Sequence, residues 1–307
     1  SKCLISSLSQ ISRMIISKTP FRVSLFGGGT DMPDWYKENE GAVLSFAIDK
    51  YCYLTTRILP PFFEHKFRIA YSIVETESEF SNIQHPVVRE TIRKYSPNLS
   101  LEIHHDGDLP ARSGVGSSSA FTVGIIHSIL TLQRKKISNS QLANLAIEME
   151  QDILKENVGS QDQIACALGG FNYIQFGPGS EWSNSKLELH ESYKQAMERS
   201  AVLIFTGLSR NSSEINFTLK QNISSNQNYL NRLLKLAKQG KELIATNGDI
   251  GLIGEMLHEN WNLKRNLNKY ASNSYLDDIY SLGLNSGALG GKILGAGGGG
   301  FFLFWVK

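Results

Sequence analysis

DLPARSGVGSSSAFTVGII, residues 108–126, joins a Pro-bearing loop to an apolar helical run through Gly114, Gly116 and three consecutive serines. Without side chains at Gly114 and Gly116, a phosphate can approach backbone N–H groups closely. A helix opening at Ser118 or Ser119 aims its unpaired N–H groups and positive dipole end at that anion. The hydroxyls of Ser117, Ser118 and Ser119 can add phosphate hydrogen bonds or one oxygen ligand to Mg²⁺. Taken alone, the stretch is also compatible with an ordinary capped helix start. Its neighbours decide between the two.

Upstream, Met14 begins a strand with a break at Pro20, after which Phe21, Val23 and Leu25 share one face and Arg22 and Ser24 the other. Gly27-Gly28-Gly29-Thr30-Asp31 follows at once, and three glycines ending a strand imply positive φ or a close approach to the backbone. Ala42–Ile58 and the alternating Phe67, Ile69, Tyr71 and Ile73 read as strands, and Leu99, Leu101 and Ile103 as another. Pro86–Tyr95 is a short helix.

Downstream, two helices are expected over Ser118–Gln133 and Asn139–Lys155, the second carrying Glu150 on its apolar face. A carboxylate there is costly unless paired or metal-bound; the alternative is a side chain that reaches solvent. Glu156–Gln163 reads as a loop holding Asp162 between Gln161 and Gln163. Asp162 suits a general base, or equally a turn aspartate. Arg22 suits a cation beside a transferred phosphoryl group, or a surface charge on an edge strand. Gly177–Ser185 reads as a linker. The second half continues with a strand at Ala201–Phe205, helical patterns over Ser213–Asn268 and Ser274–Leu284, and the strands Gly290–Leu294 and Phe301–Val306. Strands, then helices, then strands make an α+β pattern.

Two regular expressions fail on context. Gly295–Gly300 fits G-x-G-x-x-G but runs into Phe-Phe-Leu-Phe-Trp, a strand, where a dinucleotide fingerprint must open a helix. Gly291-Lys292 is followed by Ile293 and lacks the earlier P-loop glycine. The 307 residues suffice for two modest domains, and a net charge of +2 points to neither a nucleic acid nor a membrane surface. Cys3, Cys52 and Cys166 have no metal spacing and suggest a reducing, cytoplasmic setting. Residues 1–13 lack an apolar core of signal-peptide type and read as an extension or leader.

In order, the chain holds Pro-x-Arg with Gly-x-x-Thr-Asp, then Pro-x-x-x-Gly-Val-Gly-Ser-Ser, then Gly-x-x-Asp-Gln, then Gly-Ala-Gly-x-Gly-Gly. This conjunction resembles the GHMP kinase superfamily from about Ile15 to Val306. The resemblance implies a two-domain GHMP kinase fold. Residues 14–185 would form a ribosomal-protein-like ATP-binding domain, and residues 186–307 a ferredoxin-like α/β sandwich. It implies a nucleotide phosphate site at Pro110, Arg112, Gly114, Val115, Gly116, Ser117, Ser118 and Ser119, with Gly297 beside it. Ser118 and Glu150 would hold Mg²⁺, Asp162 would be the catalytic aspartate and Arg22 the basic residue of the first motif. Gly28, Gly29, Thr30 and Asp31 would contact the sugar.

Where galactokinases carry a Glu-His pair, this chain has Gly28-Gly29, so its pattern is similar to the heptose 7-phosphate kinase branch. The implied reaction is ATP-dependent phosphorylation of the anomeric hydroxyl of D-glycero-D-manno-heptose 7-phosphate. L-fucose or other hexose kinases are the competing reading, and a non-catalytic sugar sensor a second. An acceptor already carrying a phosphate needs its own anion site, for which Arg112 and Arg210 are the candidates. The family usually continues beyond the last strand with a further helix and strand, so either an uncovered sheet edge or a C-terminus truncated relative to the family is expected. Oligomeric state is not legible.

Overall fold

The computed structural model describes residues 14–179, 181–209, 226–268 and 270–307. Arg210, expected to bind substrate phosphate, lies outside the described residues, as do residues 1–13 and the start of the helical region at Ser213.

The N-terminal half is built on a long antiparallel pair, β1 (Met14–Phe26) and β2 (Gly41–Ile58). Pro20 does not break β1. The register slips there instead, between Pro20 and Arg22 and again between Ser24 and Phe26, which absorbs the missing N–H as bulges on a strand at the sheet edge. On its other side β2 pairs with β5 (Leu101–Gly107) along Cys52–Ile58 and with β6 (Phe171–Phe176) along Gly41–Phe46. β3 (Phe67–Ala70) runs parallel to β5, and β4 (Val74–Glu77) pairs with β3. The expected single strand through Tyr71 and Ile73 is thus a hairpin that turns after Ala70.

The helices of this half are α1 (Pro33–Tyr36), α2 (Pro86–Tyr95), α3 (Ser117–Leu132), α4 (Asn139–Ile147) and α5 (Gln161–Leu168); α3 and α5 pack on β1 and β2, while α2 and α4 pack on α3. α3 is apolar nearly all round and its residues are almost all buried, as befits a helix enclosed by other elements. It opens at Ser117, behind Gly116 at φ 76°. Two sequence expectations change here. α4 does not continue to Lys155 but passes into a π-helical turn, Glu148–Ile153. Asp162 sits in the first turn of α5, not in a loop. A third change concerns Gly177–Ser185, of which only the first part is a turn. β7 (Trp182–Lys186) pairs with β6 and extends the sheet.

The C-terminal half begins with α6 (Glu191–Ser200) and β8 (Ala201–Phe205). Helices α7 (Gln227–Ala245), α8 (Ile250–Leu267) and α9 (Ser274–Asn285) follow, then β9 (Gly290–Ile293) and β10 (Phe301–Trp305). Among the described residues its sheet has three antiparallel strands in the order β8-β10-β9. An aromatic core of Trp261, Tyr280, Phe302 and Phe304 lies against it. The halves meet where α7 packs on the inner end of the β1–β2 pair. A Cβ at Gly240 would stand 2.5 Å from Phe26 and 3.1 Å from Leu44. That contact brings β9 and α8 alongside the glycine turn of β1.

Candidate active site

Three segments far apart in sequence converge on Arg22, which is 3% exposed. Its Nε donates to Asp162 Oδ1 at 2.7 Å and its Nη2 to Oδ2 at 2.5 Å, a bidentate pair. Its Nη1 donates to Gly114 O at 2.6 Å, and its backbone N–H donates to Val115 O at 3.0 Å. The loop ahead of α3 therefore closes the free edge of β1 at this residue. Such a fork fixes the carboxylate plane as a lysine could not. The surface-charge alternative for Arg22 is excluded by its burial. Asp162 keeps 27% side-chain exposure, enough for a ligand in the cleft to reach it.

The glycines of the loop have separate reasons. Gly114 has φ 83°, and a Cβ there would lie 2.5 Å from Leu294 O. The C-terminal glycine run packs directly on this loop. Residues 295–300 link β9 to β10, Phe301 N–H donates to Ser113 O at 3.0 Å, and Gly298 N–H donates to Ala271 O. No helix follows them, in keeping with the rejected dinucleotide fingerprint. Ser117, Ser118 and Ser119 all line the cleft, as do Arg112 and Gly297. Pro110 and Val115 do not: Pro110 O accepts from Ser113 Oγ at 2.6 Å, and the Val115 side chain is buried in the core.

Glu150 is carried inward by the π-helical turn and is 1% exposed. Its Oε2 accepts from Ser119 Oγ at 3.0 Å and from Gln163 Nε2, while its Oε1 has no partner. Burial, reinforced by Glu156, pushes the Glu150 carboxyl up to about 8. The hydroxyl joined to Glu150 is thus that of Ser119, whereas Ser118 is exposed at the cleft. Among the described residues no group of three or more His, Cys, Asp or Glu could hold a metal. Mg²⁺ needs no such cage, and one orphaned buried carboxylate oxygen beside a serine hydroxyl fits it.

At the end of the glycine turn, Asp31 is 3% exposed and tied to backbone at both oxygens: Gly29 N–H to Oδ1 at 2.8 Å and Gln161 N–H to Oδ2 at 3.3 Å. Burial, with a smaller contribution from Asp162, raises its carboxyl. Gly28 and Gly29 line the cleft beside it. Thr30 does not reach the cleft, which corrects its assignment as a sugar contact. It is wholly buried, and its Oγ1 donates to Gly27 O at 2.7 Å and accepts from Ala42 N at 3.1 Å. Thr30 pins the turn that presents its neighbours.

The cleft, about 520 Å³, is also lined by residues that the motif reading did not single out for the site: Asn260 and Lys264 on α8, Lys292 on β9, and Glu156. Asn260 and Lys264 are four residues apart on a helix, a spacing that reads as a solvated stripe. Lys292 carried a better signal, a lysine inside a strand otherwise of small and apolar residues. The volume is that of a small-molecule site.

Residues 82–170 match the profile described as GHMP kinases N terminal domain, and residues 234–307 that described as GHMP kinases C terminal. The chain belongs to the GHMP kinase family. As a GHMP kinase it is a phosphotransferase with an alcohol acceptor, of the sugar-kinase type, with ATP the implied donor. It is 28% identical over 96% of its length, and 90% of the relative's, to D-glycero-alpha-D-manno-heptose 7-phosphate kinase of Campylobacter jejuni. It is 26% identical over 94% of its length to the bifunctional fucokinase/GDP-fucose pyrophosphorylase of Arabidopsis thaliana, spanning 29% of that protein. Among solved structures, a D-glycero-D-manno-heptose 1-phosphate kinase of Bacteroides thetaiotaomicron superposes with a TM-score of 0.77 at 25% identity, covering 96% of this chain and 89% of that one. No helix among the described residues is long and apolar enough to cross a membrane.

Proposed function

We propose that this GHMP kinase transfers the γ-phosphoryl group of ATP to the anomeric hydroxyl of D-glycero-D-manno-heptose 7-phosphate, supplying a precursor of nucleotide-activated heptose. The observation that carries the transfer is the bidentate Arg22–Asp162 pair under the phosphate loop. The names of the Campylobacter and Bacteroides relatives support the heptose, although they differ on where its existing phosphate sits. The Arabidopsis likeness favours an L-fucose or other hexose kinase as the second reading. A non-catalytic sugar sensor would have no need of the Arg22–Asp162 pair.

In this reading the triphosphate lies along Gly114–Ser119, where the N-terminus of α3 supplies N–H groups and dipole. Glu150, with Ser118 and Ser119 on the neighbouring helix turn, would hold Mg²⁺; when bound, that ion neutralises phosphate charge. Asp162 accepts the hydrogen of the attacking hydroxyl, and Arg22 fixes the orientation of that carboxylate while adding positive charge beside the transferred group. Gly28, Gly29 and Asp31 face the sugar, and Arg210 is retained as a candidate phosphate contact. The domains are taken to divide at the end of β7, one residue beyond the expected boundary at 185/186. A cytoplasmic location follows from the cysteine usage.

ADP release across heptose 7-phosphate, L-fucose, galactose and mannose, with NMR of the product, tests the acceptor. Asp162→Asn is expected to lose at least ~10²-fold in kcat with nucleotide binding retained. Near-wild-type turnover by that variant, or preference for an unphosphorylated hexose, overturns the corresponding half of the reading.

A further inference from the structure

Lys292 is 4% exposed, and its Nζ donates to Leu25 O at 2.8 Å. Lys264 Nζ donates to Ile293 O at 3.3 Å and to Gly295 O. Both line the cleft, and among the described residues neither forms an ion pair with a carboxylate; carbonyls are their only hydrogen-bond partners. Each feels the positive charge of Arg22, and Lys292 feels that of Lys264 as well. The negative groups in range are already engaged. Asp162 is held by both arms of Arg22, and Asp31 by two backbone N–H groups. Near Lys264 on α8, Asn260 is 3% exposed with its Oδ1 lacking a partner, an acceptor suited to a sugar hydroxyl and not to the anion itself.

Charging two amines gathered here, with no ion pair and only Asp31 in range of Lys292, is costly; both are held below the ordinary lysine range, and an anion docking between them offsets that cost. The nucleotide has its own provision in the loop and dipole of α3. Lys292 instead borders the acceptor side, reaching the strand end that leads into Gly27–Asp31. We propose that Lys264 and Lys292 form an anion site of the acceptor pocket that selects a sugar already carrying a phosphate. This rests on the sugar-phosphate reading above and assigns the phosphate to the C-terminal domain rather than to Arg112. Burial and Arg22 hold Lys264 down to about 7, as expected of a cation whose partner arrives with the substrate. The lysines act as specificity residues, meeting the phosphate that the acceptor already carries, within the field of Arg22.

The test compares heptose 7-phosphate with unphosphorylated heptose in wild type and in Lys264→Met. The variant is expected to raise the KM for the phosphorylated acceptor roughly 10- to 100-fold, the worth of a charge-assisted contact. Its KM for ATP and for the unphosphorylated sugar should change less than about threefold, so the preference for the phosphorylated acceptor collapses. Lys264→Arg should restore part of that preference, and Lys292→Met should lose it as Lys264→Met does. If both acceptors fall alike through kcat, the lysines serve phosphoryl transfer and the proposal is overturned. A wild type that prefers the unphosphorylated sugar overturns the sugar-phosphate reading itself, whereas a Lys264→Met enzyme that keeps the wild-type preference overturns this site alone. A readout needing no variant is inhibition by inorganic phosphate, expected to compete with the acceptor. Competition with ATP alone overturns the site.

Discussion

Gly159→Ala is the smallest change that should uncouple the acceptor side from the catalytic helix. Gly159 is outside the left-handed region, so alanine brings no backbone strain of its own. Its cost is steric: the added Cβ would stand 1.9 Å from Asp31 Oδ2 and 2.6 Å from Asp31 Cγ. Asp31 must therefore leave its seat. In doing so it gives up the 2.8 Å bond from Gly29 N–H and the 3.3 Å bond from Gln161 N–H, and strains the 3.0 Å bond from Ser160 N–H to Asp31 O. Hydrogen bonds to a charged group contribute about 1.5–3 kcal/mol each. The longer of the two counts at the low end, so a loss of about 3–4.5 kcal/mol is expected. Because Gln161 adjoins Asp162, the same shift should raise the acceptor KM while leaving the KM for ATP near wild type. Urea unfolding reads the stability term and initial rates the kinetic one. The decisive comparison is a double-mutant cycle with Asp31→Ala, which removes the group that is struck. In that background Gly159→Ala should cost under about 0.5 kcal/mol. Additive effects, or a single mutant indistinguishable from wild type in both readouts, would refute the coupling of Gly159 to Asp31.

Other outcomes follow from the same geometry. Glu150 has a folded pKa of about 8, above its ordinary 4.5, so between those values the native state holds the extra proton. Stability is then greatest at the acid end of the window and falls as pH rises through it, levelling above 8. Glu150→Gln should flatten that slope in urea titrations at pH 5, 6, 7 and 8, and should abolish stabilisation by Mg²⁺ plus nucleotide at pH 8; an unchanged slope would contradict the burial of this carboxyl. Arg22→Met frees Asp162 and Gly114 O together, and kcat should fall at least ~10²-fold with the acceptor KM little changed, which steady-state kinetics check. Ser119→Ala removes the donor to Glu150 Oε2, whereas Ser118→Ala removes no bond within the protein. The first should cost about 1 kcal/mol in thermal unfolding and the second nearly nothing there, any effect of Ser118 being confined to the Mg²⁺ dependence of activity.

Much of the fold was legible because its signals are local. β2, α2, α3 and β10 follow from residue runs whose periodicity and flanking Pro or Gly leave little choice. The errors share one cause, a tertiary neighbour overriding the local pattern. Tyr71 and Ile73 continue an alternation that the chain abandons at Ala70, because β4 turns back to pair with β3. Trp182–Lys186 is as polar as a linker, yet β6 offers it an unpaired edge. Glu150 lies in a helical pattern, but a π-helical turn, invisible to 3.6-residue counting, carries it to Ser119 and Gln163.

For the site, the sequence alone marked Asp108–Ile126 as a glycine-bearing loop that opens a helix and Arg22 and Asp162 as candidate site residues, and it ruled out the G-x-G-x-x-G match. Glycine placement and charged side chains beside it are properties of short segments. Only the tertiary structure decided what touches what. Arg22 meets Asp162 across 140 residues of chain, Thr30 turns into the core while Asp31 faces the cleft, and Lys264 and Lys292 line that cleft from the other half of the molecule. A lysine on an amphipathic helix and one buried beside a ligand differ only in what packs around them, and that is set by how α7 seats the C-terminal half against β1 and β2.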